Sequence, residues 1–159
     1  MKDDGNTVLH RAAPHKKIVW CLEKFITAGA EIDVQNEEGR FPLCKTVKHE
    51  PSYEFNEEAA RIFIKCGADS DIVNKSLFSA AKRRLIYELD VTPEEMEEQK
   101  TAVAFFLYHG ADHETEDRFG SKPYHYTNGN PGIKSMLESA ETVKQSIEWF
   151  KESKLWTVD

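Results

Sequence analysis

A short Gly-Ala-acid motif recurs three times in the chain and constrains its fold more than any other feature. It occurs at 29–31, 67–69 and 110–112, each time after a run of apolar residues. Because glycine readily adopts the left-handed conformation that terminates a helix, each copy predicts a helix end. A shorter helix-like block precedes each motif and begins with a leucine. These leucines are spaced 34 residues apart: Leu9, Leu43 and Leu77. Repetition at such a period predicts stacked helical units.

The first unit carries the most complete version of the repeat, between Asp4 and Ala13. In it Thr7 is suited to cap a short helix, and small alanines at the helix end let a second helix approach closely. This segment resembles the T-P-L-H-x-A signature of the ankyrin repeat family, with Val8 in the place of the proline. Weaker versions of the signature follow in order at 38–47, 75–81 and 119–127.

The resemblance to the ankyrin family covers residues 4–140 and implies an all-α fold. That fold is a solenoid of helix-turn-helix units with projecting finger loops, and ligands usually bind its concave side, formed by the fingers and first helices. The expected domains are an ankyrin-repeat domain, residues 1–140, and a C-terminal capping helix and tail, residues 141–159. The four units are expected at about 4–36, 37–74, 75–117 and 118–140. Two insertions, 50–56 and 85–100, lengthen the loops between helices.

Apolar periodicity and capping residues predict the longer helices. Second helices are expected at about 16–28 in the first unit and 56–66 in the second. In the third unit the first helix is expected to run to about Glu88, and a threonine and proline at its start predict a second helix over 93–109. An apolar stripe over 133–150 predicts a last helix that continues, or breaks briefly, into a cap reaching about residue 155. The finger turn before the third unit is degenerate and is expected to be short or irregular.

The composition bounds the class of protein. With 40% apolar and 31% charged residues among 159, the chain is typical of a soluble domain, and no apolar run approaches the span of a bilayer. The first residues lack the hydrophobic core of a signal peptide, so we expect a cytoplasmic protein, or one in a host cytosol if it is secreted. The net charge of −7 argues against general nucleic-acid binding. The cysteines sit singly, which favours reduced thiols: Cys21, Cys44 and Cys66.

The sequence contains no recognisable catalytic, phosphate-binding or metal-binding motif. His109 and His113 have a metal-like spacing, but Gly110 between them marks a helix end, so the two rings are not expected to share a helix face. His10 and His125 fall where the ankyrin signature has its structural histidine, which in that family hydrogen-bonds the turn. We therefore expect a non-enzymatic protein with no catalytic residues, no cofactor and no metal.

Charged residues recur at equivalent positions of the units. Aligned by their leading leucines, the first helices carry a basic stripe that the resemblance places on the concave face: Arg11, Lys45, Lys48, His49, Lys82 and Arg83. The finger loops are acidic instead, notably at Glu37, Glu38, Glu116 and Asp117. Surface charges also serve solubility alone, and that interpretation stands beside the functional one. Tyr126, in the fourth unit, is a candidate aromatic anchor.

These features favour a protein-protein interaction module that holds a partner protein, with an acidic or phosphorylated segment, in its concave groove. A second interpretation is a targeting or scaffolding fragment of a larger enzyme or bacterial effector, since the chain begins inside the first repeat and solenoid ends normally carry polar caps. A third is an inhibitor or immunity protein whose acidic fingers cover a basic site. The identity of the partner and the oligomeric state are open at this stage, because a repeat fold alone selects no function.

Overall fold

The computed structural model describes residues 4–49, 53–82, 91–127 and 130–155, and this part of the chain is mostly helical. Its α-helices are α1 (Val8–Ala12), α2 (Trp20–Thr27), α3 (Glu57–Lys65), α4 (Ser70–Ala81), α5 (Pro93–Tyr108), α6 (Pro131–Leu137) and α7 (Ala140–Leu155). Shorter 3-10 helices occupy Lys16–Ile18, Pro42–Thr46 and Pro123–Tyr126. The expectation of a helical fold is confirmed. Among the described residues, no helix has the length and apolar character needed to cross a membrane.

Each Gly-Ala motif ends a helix in the same way, as the sequence predicts. Gly29, Gly67 and Gly110 adopt positive φ angles of 100°, 109° and 92°. The alanine after each glycine donates its N–H to the carbonyl five residues earlier, at N···O distances of 3.0, 3.1 and 2.9 Å. Glycine enters the required left-handed region without strain, so this hydrogen-bonded ending forms at all three positions. Helices α2, α3 and α5 therefore end alike.

The elements that open each unit follow one another in space as they do in the sequence. Helix α1 contacts Pro42–Thr46, this segment contacts α4, and α4 contacts Pro123–Tyr126. The leading leucines of this row are buried in the core: Leu9, Leu43 and Leu77. Behind the row α2 lies beside α3, and α5 packs on α4, α6 and α7. The buried apolar side chains of these elements form one continuous cluster, from Leu9 to Phe150.

Buried polar side chains join the first two units. His10 accepts a hydrogen bond from the Thr7 N–H at its Nδ1 (3.1 Å), and its Nε2 donates to the Arg40 carbonyl of the second unit (2.8 Å). Asn56 donates from its side-chain amide to the Ala13 carbonyl at 2.9 Å. Both side chains are almost fully buried, so each bond satisfies polar atoms that water does not reach.

His125 repeats the cap of His10 in the fourth unit. Its Nδ1 accepts from the Lys122 N–H at 2.8 Å, at the start of Pro123–Tyr126. Unlike His10, this residue is exposed to solvent. The turn-bonding role expected for both histidines is confirmed.

The second helix of the first unit begins later than predicted. The predicted range is 16–28, whereas α2 begins at Trp20 and Lys16–Ile18 form a separate 3-10 turn. Ile18, which the periodicity places on the buried face, is 38% exposed, and Val19 is buried instead. A 3-10 turn has fewer residues per turn than an α-helix, so the residue that faces the core is Val19 and not Ile18.

The second unit opens with a 3-10 helix in place of the expected α-helix. After Pro42–Thr46 the chain forms a short strand β1, Val47–Lys48, which pairs antiparallel with β2, Glu54–Phe55. Val47 lies opposite Phe55, and both side chains are buried. Of the insertion expected at 50–56, residues 50–52 lie outside the described part of the chain, and β2 lies in the rest. Helix α3 then agrees with the predicted range 56–66.

Helix α4 begins earlier than the first helix predicted for the third unit. It starts at Ser70, directly after the Gly-Ala motif, and the carboxylate of Asp69 caps it by accepting from the Ile72 N–H at 3.1 Å. An acidic N-cap at a helix start is favourable because it satisfies free N–H groups there. The finger expected to be short or irregular before the third unit is therefore replaced by helix.

Helix α4 also ends earlier than predicted, at Ala81 and not at about Glu88. The next residue, Lys82, is extended. The last carbonyls of α4 accept hydrogen bonds from the Tyr53 hydroxyl (2.8 Å) and the Gln99 amide (3.3 Å), so they are satisfied without a further helical turn. The rest of the predicted extension, residues 83–90, lies outside the described part of the chain.

The C-terminal helix closes the row of units. A break after Leu137 separates α6 from α7, which is one of the two forms predicted, and α7 extends to Leu155 as expected. Phe150 of α7 is buried with its ring centroid 5.9 Å from that of Phe105 in α5. Lys100 of α5 lies 3.9 Å from the ring centroid of Trp149. Helix α7 therefore covers the end of the core by both apolar and cation–π contacts.

Candidate protein-binding face

The basic residues predicted for the concave face lie on consecutive elements, but some are already paired. Arg11 lies 3.5 Å from the carboxylate of Asp4, and Lys48 lies 3.8 Å from that of Glu54. An internal carboxylate weakens the attraction of each cation for a partner. Lys45 forms no ion pair within the described part of the chain. It is therefore better placed than Arg11 or Lys48 to meet an acidic group.

His49 lies largely below the surface among positive charges. Burial lowers its pKa from 6.5 to about 4, and repulsion from Arg40, Lys82 and Lys45 adds to the effect, while a backbone hydrogen bond to α4 opposes it. Its ring stands edge-on to Tyr53, with centroids 5.5 Å apart. The Nδ1 atom is buried and has no hydrogen-bond partner among the described residues. The imidazole is therefore neutral at pH 7.

Lys82 and Tyr126 lie in contact with each other on the surface. The Lys82 ammonium lies 4.8 Å from the centroid of the Tyr126 ring. The ring of Phe78 in α4 makes a T-shaped contact with the same ring, with the centroids 5.8 Å apart. The Tyr126 hydroxyl donates a hydrogen bond to Asp117, which raises the pKa of Tyr126 and lowers that of Asp117. Lys82 is exposed, and Tyr126 is half-buried. The pair offers a fixed cation beside an aromatic edge.

Two finger turns have the same backbone geometry, at 36–40 and 117–121. In each, the first residue donates its N–H to the carbonyl of the last, at 3.0 and 2.9 Å. The side-chain oxygen of the first residue, Asn36 or Asp117, accepts two further backbone N–H bonds between 2.9 and 3.0 Å. Asp117, expected to bind a partner, is thus occupied by the turn and by Tyr126.

The tips of the two fingers differ in charge. Glu37 and Glu38 project from the first tip, whereas Arg118 and Phe119 occupy the second. Phe119 is 73% exposed, and the Arg118 guanidinium lies 4.8 Å from its ring centroid. The alignment of the units did not identify this pair, although an alignment of the two finger turns places Phe119 at the position that corresponds to Glu38. Of the acidic residues expected on the second finger, Glu116 remains exposed.

The binding face consists of the cationic and aromatic side chains that follow one another from the first finger to the second: Arg40, Lys45, Lys82, Tyr126 and Phe119. Arg40, Lys82 and Lys45 each lower the pKa of His49, Lys82 lies over the ring of Tyr126, and Tyr126 donates a hydrogen bond to Asp117 of the finger that carries Phe119. Arg83, the last residue of the predicted basic stripe, lies outside the described residues. Arg40 is an addition that the alignment of first helices did not find, because it belongs to the finger. It lies 3.6 Å from the carboxylate of Glu38, so its attraction for a partner is weakened like that of Arg11 and Lys48.

A different surface gathers acidic residues between α3 and α5. An open cleft of about 530 Å³ lies there, bordered by glutamates of both helix starts: Glu57, Glu58, Glu94, Glu97 and Glu98. Lys16 also lines the cleft and lies 3.5 Å from Glu98, and Lys154 of α7 lies 2.6 Å from Glu57. Among the described residues, no group of three or more acidic, histidine or cysteine side chains is arranged to hold a metal ion.

Comparison with known proteins assigns no family. No protein-family model matches the sequence, and no curated protein matches it at a significant level. The arrangement of the described side chains is therefore the basis for any functional conclusion.

Proposed function

We propose that this chain is an ankyrin-type repeat protein that binds another protein through the binding face. The observation that carries the proposal is the set of contacts from Lys82 to Tyr126 and from Tyr126 to the finger with exposed Phe119. Lys45, which forms no ion pair among the described residues, lies on the 3-10 helix that contacts α4. Aromatic and cationic side chains of this kind dominate the energy of protein interfaces. Matching positions on successive units are also where repeat proteins bind extended ligands.

The repeat interpretation is supported by two kinds of bond. The three glycine helix ends share one hydrogen-bond pattern, and the two finger turns share another. His10 connects its own helix start to the Arg40 carbonyl of the next unit, which is the role the ankyrin signature gives its histidine. Local geometry that recurs with the sequence period favours stacked equivalent units over an irregular helical domain.

The partner that this face suits carries negative charge beside an apolar side chain. Lys45 and Lys82 would attract acidic or phosphorylated groups and speed the encounter, while Phe119 would enter an apolar pocket of the partner. The role proposed is non-enzymatic binding, in which the cations and the Phe119 ring make the contacts with the partner.

The two other interpretations fit the same face less directly. A targeting fragment of a larger enzyme or effector would also bind its target through the binding face. This interpretation differs from the proposal only in the protein to which the chain belongs. An inhibitor acting through acidic fingers would depend on Glu37, Glu38 and Glu116, because Asp117 already accepts hydrogen bonds from Tyr126 and from the finger turn.

Affinity capture from the native source, quantified by mass spectrometry, tests the proposal. The double variant Lys45→Glu with Lys82→Glu is expected to capture at least about tenfold less partner, since each charge reversal removes an attraction and adds a repulsion. Phe119→Ala is expected to weaken capture without changing the fold, because the ring is 73% exposed. The matched control reverses two exposed lysines elsewhere, Lys17 and Lys144. Equal capture by the folded double variant and the control would overturn the proposal.

A further inference from the structure

We propose that the Tyr126 hydroxyl positions the second finger turn, 117–121, and thereby fixes the exposed ring of Phe119 relative to the ammonium of Lys82. This inference rests on the proposed function, because Phe119 and Lys82 both belong to the binding face. It goes further by giving Tyr126 a role of its own, as a positioning residue and not only as the aromatic anchor that the sequence predicts.

Contacts of Tyr126 connect helix α4 to the tip of the second finger. The centroid of its ring lies 5.8 Å from that of Phe78 in α4 and 4.8 Å from the ammonium of Lys82, directly after α4. The Tyr126 hydroxyl donates a hydrogen bond to one carboxylate oxygen of Asp117. The other oxygen of that carboxylate accepts from the N–H of Phe119 at 2.9 Å. The Asp117 carboxylate therefore links the Tyr126 hydroxyl to the backbone of Phe119 itself.

The first finger turn, 36–40, is held by the turn that precedes it in the row of units. The side-chain amide of Asn36 donates to the side-chain oxygen of Asn6 at 2.9 Å. The N–H of Glu37 donates to the carbonyl of Asp4 at 3.2 Å. Asn36 is also buried, with 6% of its surface exposed. The first finger turn is therefore fixed by bonds to its neighbouring turn.

The second finger turn lacks such a neighbour, because helix α4 begins where the preceding finger is expected. The segments that flank the turn have bonds of their own. The N–H of Asp112 donates to the side chain of Asn74 in α4 at 2.8 Å, and Lys122 pairs with Glu114. Within the described part of the chain, Tyr126 is the one residue outside the turn that forms a hydrogen bond with it. Its hydroxyl therefore takes the place of the missing neighbouring turn.

Loss of this hydroxyl should free the finger without disturbing the core. An exposed turn with few bonds to the rest of a protein opens locally at little cost in free energy. The Tyr126 ring would keep its contacts with Phe78 and Lys82. A mobile Phe119 must lose conformational freedom when it enters a pocket of the partner, and this loss lowers the affinity. Partner binding therefore depends on Tyr126 through Phe119.

Nitrogen-15 relaxation of the backbone amides in the full chain tests the position of the finger, with Tyr126→Phe as the variant and Tyr124→Phe as the control. The control removes a hydroxyl from the same 3-10 helix, one that forms no hydrogen bond among the described residues. We expect an order parameter of about 0.85 for the Phe119 amide in the native chain and in the control, and a fall below about 0.6 in Tyr126→Phe. Asp117→Asn should give the same fall, since an amide has one acceptor oxygen and the bonds of the turn occupy it. Unchanged urea midpoints would show that these variants keep the fold.

Affinity capture of the partner separates a positioning role from a direct contact. Tyr126→Phe should weaken capture about threefold to tenfold, the usual cost of ordering one side chain on binding. In a chain that already carries Phe119→Ala, the same change should have no further effect. A further loss there would show that Tyr126 contacts the partner itself, and the positioning role would be wrong.

The relaxation measurement needs no partner, so this inference and the proposed function can fail separately. Equal order parameters at Phe119 in Tyr126→Phe and Tyr124→Phe would overturn the inference, whatever the capture result. If the finger becomes mobile but Tyr126→Phe, Phe119→Ala and the double lysine reversal all capture at the native level, the positioning of the finger stands and the proposed function is wrong.

Discussion

The buried imidazole of His49 should make the stability of the fold depend on pH below neutrality. Its pKa is lowered from 6.5 to about 4, by burial and then by neighbouring cations. In the unfolded chain the ring takes up a proton near pH 6.5, so acidification favours the unfolded state between these values. The contribution of the neutral ring to stability is therefore complete above pH 6.5 and is lost as the pH falls toward 4.

The size of the effect follows from the two pKa values. The gap between 6.5 and about 4 corresponds to a loss of about 3 kcal/mol in the free energy of unfolding at full titration. About 2 kcal/mol of this loss falls between pH 7.5 and pH 5. Burial also lowers the pKa of His10 and His109, so the native chain loses additional stability over the same range. A comparison with a variant is needed to isolate the part due to His49.

Urea unfolding of the native chain and of His49→Gln at both pH values provides that comparison. Glutamine keeps an amide N–H that can bond to the α4 backbone but has no titration in this range. We expect His49→Gln to lose about 2 kcal/mol less than the native chain on acidification, whatever its stability at pH 7.5. His15→Gln, at an exposed histidine of the first unit, is the matched control. Parallel pH dependence of His49→Gln and the native chain would show that His49 is not buried as described.

Two further changes test the bonds between units by urea unfolding. His10→Phe should cost about 2 kcal/mol, because it removes two buried hydrogen bonds, from the Thr7 N–H and to the Arg40 carbonyl, whereas His125→Phe, which loses one exposed cap bond, should cost about 1 kcal/mol or less; equal costs would contradict the bridge between units. Asn56→Leu should cost about 3 kcal/mol, since it removes the cap of α3 and leaves the buried Ala13 carbonyl without a donor. An unchanged unfolding midpoint would refute that role.

Features encoded by adjacent residues could be predicted from the sequence. The helix ends at Gly29, Gly67 and Gly110 depend on a glycine and its neighbours, and the start of α5 depends on Thr92, whose cap is completed by Glu95. These signals act within one turn of a helix, so no knowledge of the rest of the fold is needed. The bounds of α3 and α5 follow for the same reason.

The end of α4 could not be predicted in this way. Its last carbonyls bond to Tyr53 and Gln99, and Gln99 in turn accepts from Asn130 at 3.1 Å. These partners belong to distant parts of the chain, so the helix ends where tertiary bonds replace helical ones. The apolar period continues past this point and therefore predicts a longer helix than the structure has.

The repeat period indicates only part of the proposed binding face. It places Lys45 at the position of Arg11 and Lys82 at the position of Lys48, because it encodes which residues occupy successive first elements. It does not encode charge pairing, so it could not distinguish these lysines from Arg11, whose partner Asp4 lies in the preceding turn. Arg40 was missed because it follows a finger turn and lies outside the aligned helices.

Because the start of α4 replaces one finger, the two remaining fingers form two different ends of the surface. A bound polypeptide that reaches both remaining tips must cross the gap between them, and it meets Glu37 and Glu38 at one end and Arg118 and Phe119 at the other. The first end is acidic, whereas the second adds an arginine and an exposed ring to the carboxylate of Glu116. A ligand laid in the reverse sense would place its apolar pocket at the acidic tip and leave Phe119 uncovered, so the fingers themselves would select the chain polarity of the partner.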